Sequence, residues 1–139
     1  MKKRITTEIR GYAPNLLALD GCGVPTAAKI AGEVGNVTRV KSEAALARYI
    51  GVTPLPHASG STAGHIRASR SGNRNLNAAL RRIALIQIRQ GGPGRPYYLK
   101  RQESGDSAMT ALRCLKRLLV RVIYNRLQTD HRMRANACG

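Results

Sequence analysis

At 139 residues the chain has room for one domain with a modest core, and 24 Lys and Arg against 7 Asp and Glu leave it a net charge of +17. Self-repulsion of that size points to a polyanionic partner, and no apolar run approaches the ~20 residues of a membrane-spanning helix, which argues against a membrane protein. Three dispersed cysteines (Cys22, Cys114 and Cys138) form no C-x-x-C pair, so neither a zinc ribbon nor a disulfide framework is supported; reduced thiols in a cytoplasmic protein are expected, and five Tyr with no Trp or Phe leave few rings for a base-stacking platform.

The start, MKKRITTEIRGY, is basic and lacks the apolar stretch of a secretory signal, so residues 1–12 read as a basic N-terminal tail. The domain proper is expected over residues 13–129. Pro14 and Asn15 can open a short helix, NLLALD, that ends at Gly21. Gly21 and Gly23 then permit a tight turn, and Pro25 has its φ set for the first turn of a second helix reaching Glu33. The amides of Val24 and of Thr26 to Ala28 would lack intrahelical acceptors at the positive end of that helix dipole, where a phosphate can sit. GCGVPTAAKI has the order of a helix-hairpin-helix module: glycine, apolar residue, glycine, three residues, then a small and an apolar one. Gly21, Gly23, Val24 and Thr26 are therefore candidate backbone clamps, with Lys29 one turn further on; an ordinary tight turn and a solvated lysine are the plainer alternatives.

KSEAALARYIG offers Ser42 as N-cap, Glu43 in the first turn and Gly51 past the end, with Ala45, Leu46, Tyr49 and Ile50 on one face. From Val52 to Asn73 the helical period disappears among prolines and glycines, which marks a loop with a short two-stranded ribbon. It returns after Asn73, with Leu76, Leu80, Ile83, Ala84 and Gln87 forming a stripe. GGPGRP breaks the chain, PYYLKRQESG is a short helix, and the longest helix starts after Ser107 and reaches about Gln128. Ala108, Ala111, Leu112, Leu115, Leu118, Leu119 and Val122 form its expected buried stripe; Arg113, Arg117 and Arg121 lie on another face, either as a contact surface or simply solvated. Residues 130–139 read as a flexible tail. The fold class is thus mostly α: a helix-hairpin-helix followed by a packed helical bundle with a short irregular or β-hairpin insertion.

The loop carries a second motif, Ser59-Gly60 followed by Arg67, Arg70 and Arg74. A hydroxyl beside a glycine can approach a backbone closely, and arginines can hold a phosphate bidentately, although serines in Gly/Pro loops are common. His57 and His65 could act as a base or be exposed loop residues. The seven acids are scattered singly, so the chain carries no self-contained two-metal nuclease site.

Taken in order, LLALDGCGVPTAAKIAGEVG, ALARYIGVTP, HASGSTAGHIRASRSGNRNLNAALRRIAL and ALRCLKRLLVRVIY resemble the C-terminal domain of the Piv-like bacterial insertion-sequence transposases, relatives of bridge-RNA-guided serine recombinases. The resemblance covers about residues 13–129. It implies that a serine of the loop's Ser-Gly step attacks a DNA phosphodiester and forms a transient phosphoserine link. Ser59 is the matching position, with Ser61, Ser69 and Ser71 as fallbacks, and Arg67, Arg70 and Arg74 are expected to neutralise phosphate. The implied partners are DNA, a guide RNA and either further copies of the chain or a RuvC-like partner chain, in the bacterial nucleoid. Family members hold Mg²⁺ on four acidic residues of an N-terminal RuvC-like domain. Residues 1–12 cannot supply that domain, so this chain is expected to bind no cofactor itself and to be inactive alone, as a truncated reading frame or one half of a split enzyme. The rival reading is a non-catalytic helix-hairpin-helix module that clamps nucleic acid non-specifically.

Overall fold

The computed structural model describes residues 2–52 and 72–138, and every described element is helical. In chain order these are α1 (Lys2–Tyr12), α2 (Pro14–Leu17), α3 (Val24–Val34), a 3-10 turn (Val37–Arg39), α4 (Glu43–Ile50), α5 (Arg74–Gln90), α6 (Gly94–Glu103) and α7 (Ala108–Cys138). No strand occurs among the described residues; the expected irregular or β-hairpin insertion lies outside them.

Helix ends follow the local chemistry. Ser42 Oγ accepts the Ala45 amide at 3.1 Å to cap α4, and Gly51 closes it in the left-handed conformation. Asn73 Oδ1 accepts the Leu76 amide at 3.0 Å to cap α5, whose stripe of Leu76, Leu80, Ile83, Ala84 and Gln87 is buried as the spacing predicts. In α4 the buried face is Leu46, Ala47 and Ile50; Tyr49 is exposed and uses its hydroxyl elsewhere.

α7 is the long member against which α2, α4, α5 and α6 all pack. Ala111, Leu115, Leu119, Val120, Ile123, Tyr124 and Leu127 form its buried face. Ala108 and Leu118, which were expected in that stripe, are exposed. Neighbours on several sides draw in Val120, Ile123 and Tyr124 instead, so the stripe drifts around the cylinder as the helix passes from α6 to α4 and α2.

Both chain ends depart from the tails anticipated for them. Residues 2–12 are helical: Arg4 and Glu8 pair at 3.5 Å one turn apart, and Ile9, 5 % exposed, joins the core against α2 and α3. α7 continues through residues 130–138 because its last turns are bonded to α2 and to the end of α1. Asp130, 1 % exposed, accepts the Asn15 and Leu16 amides at 2.9 and 3.1 Å and Asn15 Nδ2 at 2.9 Å. A carboxylate 115 positions away thus caps the four-residue α2, whose own N-cap, Ala13, has no side chain for the purpose. Arg126 donates to the Asn15 carbonyl at 2.7 Å, and Arg134 stacks over the Tyr12 ring at 3.7 Å while donating to its carbonyl.

Candidate nucleic-acid interface

The turn between α2 and α3 is held from behind. Gly21 has φ +88° and sits so close to α5 that an added Cβ would lie 2.9 Å from the Ile83 carbonyl oxygen, so both conformation and contact demand glycine. Gln87, buried in α5, donates to the Asp20 carbonyl at 2.7 Å. Cys22, between the glycines, points into the core, and burial pushes its thiol up to about 11 against a lesser opposing pull from Arg126. Gly23 is the N-cap of α3 and is exposed with Pro25; Val24 is half-buried, and Lys29 is exposed one turn on. Thr26 is 8 % exposed, so its side chain belongs to the core and only its backbone could serve a ligand.

Arg74 occupies a different place. α5 begins at the far end of α3, where Asn73 Nδ2 and Asn75 Nδ2 donate to the two Glu33 carboxylate oxygens at 2.8 and 2.9 Å. Asn73 Nδ2 also reaches the Tyr49 hydroxyl at 3.2 Å, and the Asn73 amide donates to the Tyr49 carbonyl at 2.8 Å. The two asparagine bonds, with some help from Lys29, hold the Glu33 carboxyl below its ordinary range. Gly72 lies against the end of α4, where a Cβ would stand 2.5 Å from the Ile50 oxygen. Gly51 and Gly72 therefore meet at one corner, built from α3, α4 and α5. Arg74 is exposed at that corner. The turn between α2 and α3 and Arg74 lie at opposite ends of α3, roughly 15 Å apart at 1.5 Å per residue, so they do not share one pocket.

Ser59, Arg67 and Arg70, like the fallback serines Ser61, Ser69 and Ser71, lie outside the described residues. The acids do not assemble. Glu43 pairs with Arg121 at 3.1 Å and Arg117 at 3.8 Å, and Asp106 pairs with Arg101 at 2.6 Å. Asp130 and Glu33 are engaged as above, and no group of three His, Cys, Asp or Glu that could hold a metal exists among the described residues. The donor set thus does not fit a Mg²⁺ site. No described helix is long and apolar enough to cross a membrane.

The arginine stripe of α7 divides in two. Arg117 and Arg121 are committed to Glu43, whereas Arg113 makes no ion pair among the described residues and, like Arg81, lies close enough to Lys116 to act on its charge. Lys116 is half-buried and donates to Asn77 Oδ1 at 2.9 Å. Sequence reasoning missed this cluster because it joins residues of two helices; the only hint was the recurrence of basic residues along each.

Residues 13–99 match the family model described as the transposase IS116/IS110/IS902 family. The chain is 31% identical over 121 residues to the insertion element IS110 uncharacterized 43.6 kDa protein of Streptomyces coelicolor, covering 87% of this chain and 30% of that relative. It is 30% identical over 111 residues to the insertion element IS116 uncharacterized 44.8 kDa protein of Streptomyces clavuligerus, covering 80% and 28% respectively. Against the insertion element IS900 uncharacterized 42 kDa protein of Mycobacterium paratuberculosis it is 30% identical over 121 residues, covering 86% and 30%. The chain therefore spans less than a third of the length of these relatives. No solved structure matches it. With the family model matching residues 13–99, more than half of its length, the chain belongs to the IS116/IS110/IS902 transposase family.

Proposed function

We propose that this chain supplies the nucleic-acid-binding and serine-bearing part of an insertion-element transposase. Its membership of a transposase family supports a role in transposition, and the match over residues 13–99 carries the reading, because hairpin, Ser59 and Arg74 fall within one continuous stretch of it. Exposed Gly23, the amides that open α3 and Lys29 grip one phosphate of a DNA backbone, and Arg74 neutralises phosphate at the other end of α3; Arg67 and Arg70 add positive charge for the same strand. Ser59 Oγ attacks a phosphodiester of the bound strand. A serine oxygen–phosphorus bond forms, the bond from phosphorus to the departing strand's oxygen breaks, and that oxygen leaves carrying the proton the serine gave up. Reversal with a second strand end completes the exchange. A guide RNA, and further copies of this chain or a RuvC-like chain, are the expected companions.

No step is routed through Mg²⁺ on this chain, since its acidic side chains form no group of three among the described residues; a RuvC-like domain would hold the metal. The test supplies that domain in trans with DNA and guide RNA and looks for a protein–DNA adduct. Adduct formation by the wild type and its loss in Ser59→Ala are expected; undiminished adduct in Ser59→Ala removes Ser59 from the mechanism.

The second reading, a non-catalytic clamp, draws on the same net charge of +17. It expects steep salt dependence of binding, no adduct, and no effect of Ser59→Ala.

A further inference from the structure

We propose that Arg81, Arg113 and Lys116 form a seat for a phosphodiester group of nucleic acid, distinct from the hairpin and from the serine-bearing segment. The proposal rests on reading the chain as a nucleic-acid binder and adds to it a contact surface made jointly by α5 and α7. The geometry brings the three together. Asn77 and Arg81 are one turn apart on α5, Arg113 and Lys116 one turn apart on α7, and the Lys116–Asn77 hydrogen bond of 2.9 Å ties the two faces to each other.

No ion pair joins Arg81, Arg113 or Lys116 to a carboxylate among the described residues. Residues 53–71 contain no Asp or Glu at all. Glu43, on α4, is taken up by Arg117 and Arg121 of α7. Burial pushes the Lys116 ammonium below its ordinary range, and the adjoining Arg81 and Arg113 depress it further. Holding a half-buried ammonium between two guanidiniums is unfavourable in the free protein, and an anion with several acceptor oxygens removes that penalty. A phosphodiester fits: it is singly charged, and its two non-bridging oxygens can accept from both guanidiniums while Lys116 adds a point charge.

The seat also lies on a continuous surface with the corner described above. Asn77 Nδ2 approaches the Ile50 carbonyl at 3.5 Å, and Gly72 abuts the same carbonyl, so the cluster adjoins the corner where α4 meets α5.

The test measures affinity of the full chain for a duplex DNA and for an RNA hairpin across a series of salt concentrations. The wild type is compared with Arg81→Gln/Arg113→Gln/Lys116→Gln and with a control of equal charge, Arg39→Gln/Lys41→Gln/Arg132→Gln. The control residues are exposed, and Arg132 is about 24 Å further along α7 from Lys116 at 1.5 Å per residue. Gln at position 116 can still donate toward Asn77, and the double variant Arg81→Gln/Arg113→Gln, which alters exposed residues alone, covers any loss of folding. Removal of a single phosphate contact reduces the slope of log affinity against log salt by about 0.7–0.9. The cluster variant should therefore lose about one unit of slope and at least tenfold in affinity at low salt, on DNA, RNA or both, while the control changes little. Equal losses in cluster and control variants, or an unchanged slope in the cluster variant, overturn the seat and leave nucleic-acid binding standing. A wild type that binds neither probe overturns both.

Discussion

Replacing Asp130 is the sharpest test of how this fold positions its hairpin. The carboxylate is 1 % exposed and accepts three hydrogen bonds, from the Asn15 amide, the Leu16 amide and Asn15 Nδ2, at 2.9, 3.1 and 2.9 Å. Alanine at 130 leaves two backbone amides at the start of α2 without an acceptor, that of Leu16 buried and that of Asn15 partly so. Hydrogen bonds to a charged acceptor contribute about 1.5–3 kcal/mol each, and stranding buried donors adds to the loss, so Asp130→Ala should cost about 3–5 kcal/mol. Against a total stability of about 5–15 kcal/mol this is a large fraction, equivalent to a fall in Tm of roughly 10–20 °C for a domain of this size. Asp130→Asn keeps the shape and one acceptor oxygen and should lose about half as much, whereas Asn15→Ala, which spares both amides, should lose about 1 kcal/mol. Urea unfolding followed by circular dichroism measures all three. A loss below about 1 kcal/mol in Asp130→Ala, or an order other than Ala, Asn, then Asn15→Ala, refutes the idea that α2 is capped from α7.

Gly21→Ala should destabilise by roughly 2–3 kcal/mol in the same assay, because alanine tolerates φ +88° poorly and its Cβ meets the Ile83 carbonyl at 2.9 Å; it should weaken DNA binding as well, since the turn must shift. Cys22, with its thiol pushed up to about 11, should react with iodoacetamide in the native protein at neutral pH more than ~100-fold more slowly than in the urea-unfolded chain; comparable rates would show that it is not buried. Glu33 is held below its ordinary range by Asn73 and Asn75, so the stability it contributes is complete above the unfolded-chain value and is lost as pH falls through the lower folded one. Glu33→Gln should accordingly flatten the acid limb of the stability–pH curve below about pH 4.3, and an unchanged acid limb would remove Glu33 from that linkage.

What the sequence determined by itself was what neighbours within a few positions decide. Ser42 with Ala45, Asn73 with Leu76, Gly51 after Ile50 and the apolar spacing from Leu76 to Gln87 were legible because caps and helical faces are set over one or two turns. The tight turn of Gly21 to Pro25 was legible for the same reason, through φ preferences. Tertiary structure decided whatever depends on partners far along the chain. Residues 130–138 are helical and Asp130 is buried because α2 needs an acceptor it lacks locally. Residues 2–12 count in the core through Ile9, and Thr26 turned inward, because other helices cover them. Arg117 and Arg121 found Glu43 while Arg81, Arg113 and Lys116 were left together, a division of charge that only the packing of α4, α5 and α7 creates. A charge's energy depends on the distance and dielectric between it and its neighbours, and no local pattern in the chain specifies either.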